Sequence, residues 1–221
     1  MKQVLNLHDR FDDLQVTYGD QDLKSIYGAG ETNHPKLMFI FMNPTGKNIA
    51  SSPNWQGLRA PWLGTKPVWK IFHDLNLLDT SLYFKISALK PTQWDKEFAH
   101  QVYTSIAEHS VYITNLAKCT LSNARPLNNK VFKDYLDLVY EEIEAVTPQK
   151  IVSFGNQVSS ILLKKQISVS LYPNDEYEFL KIKSDYQVFP TYYPVGQGKR
   201  NMPKAINRIA RVLEIPDTQV L

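Results

Sequence analysis

What the chain has little of narrows its chemistry first. Of its 221 residues only one is cysteine, Cys119. A lone thiol forms no intrachain disulfide and builds no all-cysteine zinc or iron–sulfur centre from one chain. The five histidines, His8, His34, His73, His100 and His109, show no His-Glu-x-x-His spacing, so neither a metal site nor a cofactor is expected. Only nine residues are glycine, and none falls in a Gly-x-Gly-x-x-Gly fingerprint, a Gly-Lys-Ser/Thr phosphate loop or a Gly-x-Ser-x-Gly elbow. No window approaches 18 consecutive apolar residues. Residues 1–13 have no apolar signal core and carry Asp9, Arg10, Asp12 and Asp13 instead. The expectation is a reduced, cytoplasmic or nuclear protein without membrane contact. An excess of one charge is missing too: 25 basic against 22 acidic residues leave +3. That is too little to indicate a nucleic-acid partner by itself.

What is there is a globular composition, 43% hydrophobic and 21% charged, long enough to bury a core without staples. The length suits a single domain over residues 1–221, with residues 1–35 as a helical preamble. Four short apolar runs recur: Leu37-Met38-Phe39-Ile40-Phe41, Val111-Tyr112-Ile113-Thr114, Ile151-Val152-Ser153-Phe154 and Gln187-Val188-Phe189-Pro190-Thr191. Continuous apolarity, rather than alternation, predicts parallel strands covered on both faces. Between them the spacing predicts helices. One runs over Asn129–Val146 and stops at Pro148. A second opens at Gly155-Asn156 with Asn156 as cap, and a third begins near Pro203. Residues 171–183 read as an edge hairpin or excursion. The fold class expected is α/β: a three-layer α/β/α sandwich around a mainly parallel four-stranded sheet.

In open α/β sheets ligands bind beyond the carboxyl ends of the strands. That rule selects residues 43–46, 115–118, 155–157 and 192–198 before any motif is consulted. Each of these loops holds an amide side chain, which both donates and accepts and so suits the edge of a nucleobase. Taken singly, such residues also just end strands and cap helices. Residues 199–211 add five cations, Lys199, Arg200, Lys204, Arg208 and Arg211, and no anion. Helical spacing puts Lys204, Arg208 and Arg211 on one face, a candidate phosphate-neutralising patch or simply a solvated face.

Order and spacing then resemble a known family. Phe41-Met42-Asn43-Pro44-Thr45 is similar to the Gly-x-Asn-Pro-Gly motif of the uracil-DNA glycosylase superfamily, in its mismatch-specific and single-strand-selective branches. Ala60-Pro61-Trp62-Leu63-Gly64 resembles the segment carrying the aromatic stacking residue. Val111 through Cys119 resembles the strand whose terminal Asn reads uracil, here Asn115. Ile151 through Gly155 matches the next strand and turn, and Tyr192-Tyr193-Pro194-Val195-Gly196 stands at the second active-site motif. The likeness spans roughly residues 37–212.

The resemblance implies a monofunctional, base-flipping repair enzyme that acts on DNA as a monomer and hydrolyses the glycosidic bond of uracil or a related damaged pyrimidine. It makes Asn43 the water-positioning residue, with Met42 and Pro44 beside it at the base. Trp62 becomes the stacking platform and Asn115 the reader of the uracil edge. Tyr193 stands where many relatives carry a histidine, and a phenol can donate a neutral hydrogen bond to a developing anion. Gly196, Gln197 and Gly198 would bring backbone amides to a phosphate or enter a groove, followed by Lys199, Arg200 and Lys204 on the nucleic acid. Phe41 and Thr45 replace glycines of the first motif, and the second lacks its histidine. A catalytically silent nucleic-acid or nucleotide-binding module on the same fold therefore stays open, as does an enzyme of free nucleosides.

Overall fold

The computed structural model describes residues 2–123 and 127–214, so the expected domain limits at 1 and 221 lie outside the described residues. The apolar runs form the centre of a sheet. Strands β1 (Ala29–Gly30), β2 (Leu37–Phe41), β3 (Val111–Asn115), β4 (Lys150–Phe154), β5 (Glu178–Lys181) and β6 (Asp185–Thr191) lie in the order β1-β3-β2-β4-β6-β5. The inner four, β3-β2-β4-β6, are parallel. The edges β1 and β5 are antiparallel, which enlarges the expected four-stranded sheet to six. Every residue of β2 and β3 is buried, because helices cover both faces.

Alternation along each strand sorts side chains between two cores. Leu37, Phe39 and Phe41, with Ile113, Val152, Phe154 and Phe189, face helices α3 (Trp69–Asp74), α4 (Thr80–Ala88), α5 (Lys96–Glu108) and α8 (Met202–Val212). Met38, Ile40, Tyr112, Ile151 and Val188 face helices α2 (His8–Tyr18), α6 (Asn129–Val146) and α7 (Asn156–Leu162). A short α1 (Lys2–Leu5) precedes them. This is the expected three-layer sandwich. The preamble is helical only as far as Tyr18; its later part supplies β1.

Helix ends follow local chemistry. At the start of α6 the Asn128 carboxamide accepts the Lys130 N–H, and Thr147 closes the helix in a left-handed conformation one residue before Pro148. The cap of α7 is Gly155 rather than Asn156: a φ of 88° is open to glycine and strained for asparagine. The Asn156 side chain accepts the Val169 N–H instead.

Arg208 departs from the helical-face reading. It is 2% exposed and points inward from α8, beneath the excursion that precedes β5. Its guanidinium donates to the carbonyls of Tyr172, Asn174 and Glu176, with the Glu176 carboxylate 3.6 Å away. It staples the excursion to the core and takes no part in a surface patch. Arg208→Met should cost about 2–4 kcal/mol, since three carbonyls lose a charged donor, and leave the salt dependence of binding to a polyanion such as heparin unmoved. Denaturant melts and salt titrations check both halves. An unchanged melt with a shallower salt slope would return Arg208 to the phosphate patch.

Candidate active site

Parallel pairing brings the carboxyl ends of the four inner strands to one edge. Phe41 pairs with Asn115 across β2 and β3, and Phe154 with Thr191 across β4 and β6. By the two-residue alternation all four project toward the same core. Across the edge they therefore run Asn115, Phe41, Phe154, Thr191: two polar side chains flanking two rings. The rings stack, with centroids 4.2 Å apart and planes 10° from parallel. Phe41, Phe154 and Thr191 are fully buried and Asn115 is 2% exposed.

The exits of β2 and β3 are sewn together. The N–H groups of Leu116 and Ala117 donate to the carbonyls of Phe41 and Met42, at 2.7 and 3.0 Å. Beyond them Thr45 bridges to Leu121. Asn115, the last residue of β3, thus adjoins the loop that carries Asn43. The Asn43 carboxamide donates 3.0 Å to the carbonyl of Pro44, which orients its Oδ1 as the acceptor available to a water. Met42 packs on the opposite core, against the layer containing α6, and Pro44 is buried.

Trp62 packs edge-on against Phe41, centroids 5.0 Å apart, and is partly exposed. Its φ of 66° is unusual for a bulky residue. The surrounding loop enforces it: Asn48 donates to the Ala60 carbonyl, Tyr103 to that of Pro61, and Ile49 to that of Leu63. Such over-determined strain clusters at ligand sites. Trp69 is fully buried and donates its indole N–H to the Trp62 carbonyl at 3.3 Å, the packing role.

Tyr193 rests against the backbone of Gly155, where a Cβ would lie 3.5 Å from its own. Burial pushes its phenol up to about 12. Gly196 through Asn201 wind into a 3-10 turn that leads into α8. Gly198 is held there by space, since a Cβ would fall 2.0 Å from the Tyr193 carbonyl. Lys199, Arg200 and Lys204 are exposed, and Lys204 lies 5.2 Å from the Tyr192 ring centroid. Two surface cavities of about 410 and 430 Å3 lie away from the Asn115–Thr191 row, one between Asn48 and Trp94, the other between Lys36 and His109.

Polar bookkeeping singles this edge out. Among the described residues five buried side-chain atoms have no hydrogen-bond partner, and three belong here: Trp62 Nε1, Asn115 Nδ2 and Thr191 Oγ1. A buried orphan costs about 1–3 kcal/mol, so three at one edge leave polar groups for a ligand or an ordered water to satisfy. Asn115 and Trp62 were legible as motif residues. Phe154 and Thr191 were not, although alternation places both on the Asn115 face once strand order is known.

The family model of the uracil DNA glycosylase superfamily matches residues 27–214. The chain belongs to that superfamily. No curated protein matches it. Superfamily membership brings a glycosylase-like α/β fold and a role connected with DNA. Among the described residues no helix is long and apolar enough to cross a membrane. Cys119 is buried, and desolvation pushes its thiol up to about 11.

Proposed function

We propose that the protein is a monofunctional DNA glycosylase that removes uracil, or a closely related pyrimidine, from DNA by direct hydrolysis. The observation that carries this reading is the trio of unpartnered atoms on Trp62, Asn115 and Thr191. A pyrimidine imide presents two carbonyl acceptors with an N–H between them. The unpartnered amide donor of Asn115 on this buried edge suits one of its carbonyls, and the partly exposed Trp62 ring suits its face. Asn115 reads the base, Trp62 stacks on it, and Asn43 holds the water.

In the step itself, the bond between C1′ and the base nitrogen breaks as the water oxygen bonds to C1′. The base leaves with the bonding electrons and is protonated, while the water gives up a proton. Negative charge grows on the departing base, where Asn115 Nδ2 and the Tyr193 hydroxyl can donate to its carbonyls. Residues 42–46, 115–118, 155–157 and 191–200 contain no carboxylate. An amide is no strong base, so turnover is slow. Lys199, Arg200 and Lys204, with backbone of Gly196, Gln197 and Gly198, hold phosphates.

The test incubates the protein with uracil-containing single- and double-stranded oligonucleotides and scores strand scission after alkali. Abasic sites are expected. No scission across several damaged bases and opposite partners would sink the reading, and salt-sensitive binding without base release would identify a silent module instead. Charge reversal at Arg200 and Lys204 should flatten the salt slope of binding by about two. Unaltered activity and slope would point to free nucleosides as substrates.

A further inference from the structure

Behind Asn115, on the opposite face of the sheet, lies a fully buried ion pair. Lys118 Nζ sits 2.6 Å from Glu142 Oε2, and both side chains are 0% exposed. Each hydrogen-bonding group is used. The ammonium donates to Glu142, to Thr114 Oγ1 at 2.8 Å and to the backbone carbonyl of Asn115 at 2.5 Å. The other carboxylate oxygen of Glu142 accepts from Tyr112 at 2.9 Å and from Thr114 at 3.0 Å. The Phe11 ring of α2 lies 4.9 Å from the ammonium. At Gly28 a Cβ would meet the Tyr112 hydroxyl at 2.2 Å and Glu142 at 2.5 Å, so the chain closes over the network only as glycine. One connected cluster ties β3, its exit loop, α2 and α6 together.

Stability is a poor explanation for such a pair, since apolar residues of similar volume often do as well or better. Its geometric effect is specific. The Asn115 side-chain nitrogen has no partner of its own, so its placement depends on its backbone. That backbone is gripped by the Lys118 ammonium at the Asn115 carbonyl and by the Leu116 and Ala117 bonds to β2. We propose that the Lys118–Glu142 pair is a positioning device that fixes the β3 exit and so presents the Asn115 carboxamide to the base. The proposal rests on the base-reading role given to Asn115 above. Lys118 and Glu142 touch no substrate.

The full chain carrying Lys118→Met with Glu142→Gln loses both charges and keeps an acceptor for Tyr112 and Thr114. Once circular dichroism has shown a cooperative melt, two readouts are taken. In single-turnover excision from a uracil oligonucleotide, the rate constant should fall about ten- to a hundredfold, with the half-saturating oligonucleotide concentration unchanged. In heteronuclear NMR, the Asn115 side-chain amide pair, assigned through its disappearance in Asn115→Asp, should be sharp in the wild type and broadened in the double variant. An unchanged rate constant together with an unchanged amide pair overturns the proposal. Should the wild type release no base, the glycosylase reading has failed, and the amide pair alone decides the positioning role by the same criterion. Should the double variant not fold, Lys118→Gln with Glu142→Gln, which replaces the two charges by a neutral hydrogen-bonding pair, is put through the same measurements with the same outcomes.

Discussion

Asn115→Ala is expected to leave the protein about as stable as the wild type, or slightly more so, while slowing base release about 10²- to 10³-fold. The two effects have one origin. Asn115 is buried with Nδ2 unpartnered, and an unsatisfied buried donor costs about 1–3 kcal/mol. Truncation removes that cost and gives back a comparable amount in lost packing. In the proposed reaction the same donor faces a base carbonyl that gains charge as the glycosidic bond breaks, and removing one such donor costs about 2.7–4 kcal/mol of barrier lowering. Thr191→Val should move stability the same way, since it deletes an orphan hydroxyl from a fully buried position. Thermal melts with single-turnover kinetics read both quantities. A core asparagine with an ordinary packing role would behave oppositely: the melt would drop by several degrees and the rate would fall only in proportion to the folded fraction. That pattern would remove Asn115 from the site.

How far the sequence reaches depends on how local each cause is. The limits of β2 and of α6 are legible because runs buried on both faces and an amphipathic stripe ending before Pro148 are local patterns. The edge strands are harder. The two residues of β1 are too few to show any period, and β5 exists through its pairing with β6. Arg208 is misplaced by a helical wheel because its partners, the carbonyls of Tyr172, Asn174 and Glu176, arrive over thirty residues away in sequence. Of the site, Asn115 stands out as the polar end of an apolar run. Thr191 ends its own run as inconspicuously as any strand-terminal threonine. It gains meaning only when strand order places it in the row with Asn115. Glu142 did leave a trace, since it lies one turn from both Leu138 and Val146 on the buried stripe of α6. A charge on an apolar stripe signals a buried partner, but only the fold supplies Lys118.

Raising the pH should unfold the protein cooperatively between about pH 10 and 12, and base release should persist until it does. Desolvation drives this. It raises the phenols of Tyr103 and Tyr112 well above the usual value, raises Tyr135 strongly, and pushes Tyr140 and Tyr193 up to about 12. In the unfolded chain each ionises near 10. The native state therefore keeps protons that the unfolded state releases, so stability is whole below pH 10 and is lost as the pH climbs through the folded values. Several such phenols act together against a stability of about 5–15 kcal/mol, and the transition should be sharp. Tyrosinate absorbance and far-ultraviolet circular dichroism should then change at the same pH. Tyr193 ties this to function. A phenol held up to about 12 stays a neutral donor throughout the range in which the fold survives, so no separate alkaline limb is expected in the rate. Tyr193→Phe should lower that rate about tenfold through loss of one neutral donor and shift the unfolding to slightly higher pH, because one fewer buried phenol is waiting to ionise. A rate that declines near pH 10 while circular dichroism still reads native would mean that Tyr193 titrates in the folded protein. The donor assigned to the departing base would then be a solvated phenol and the second motif would offer no help to the leaving group.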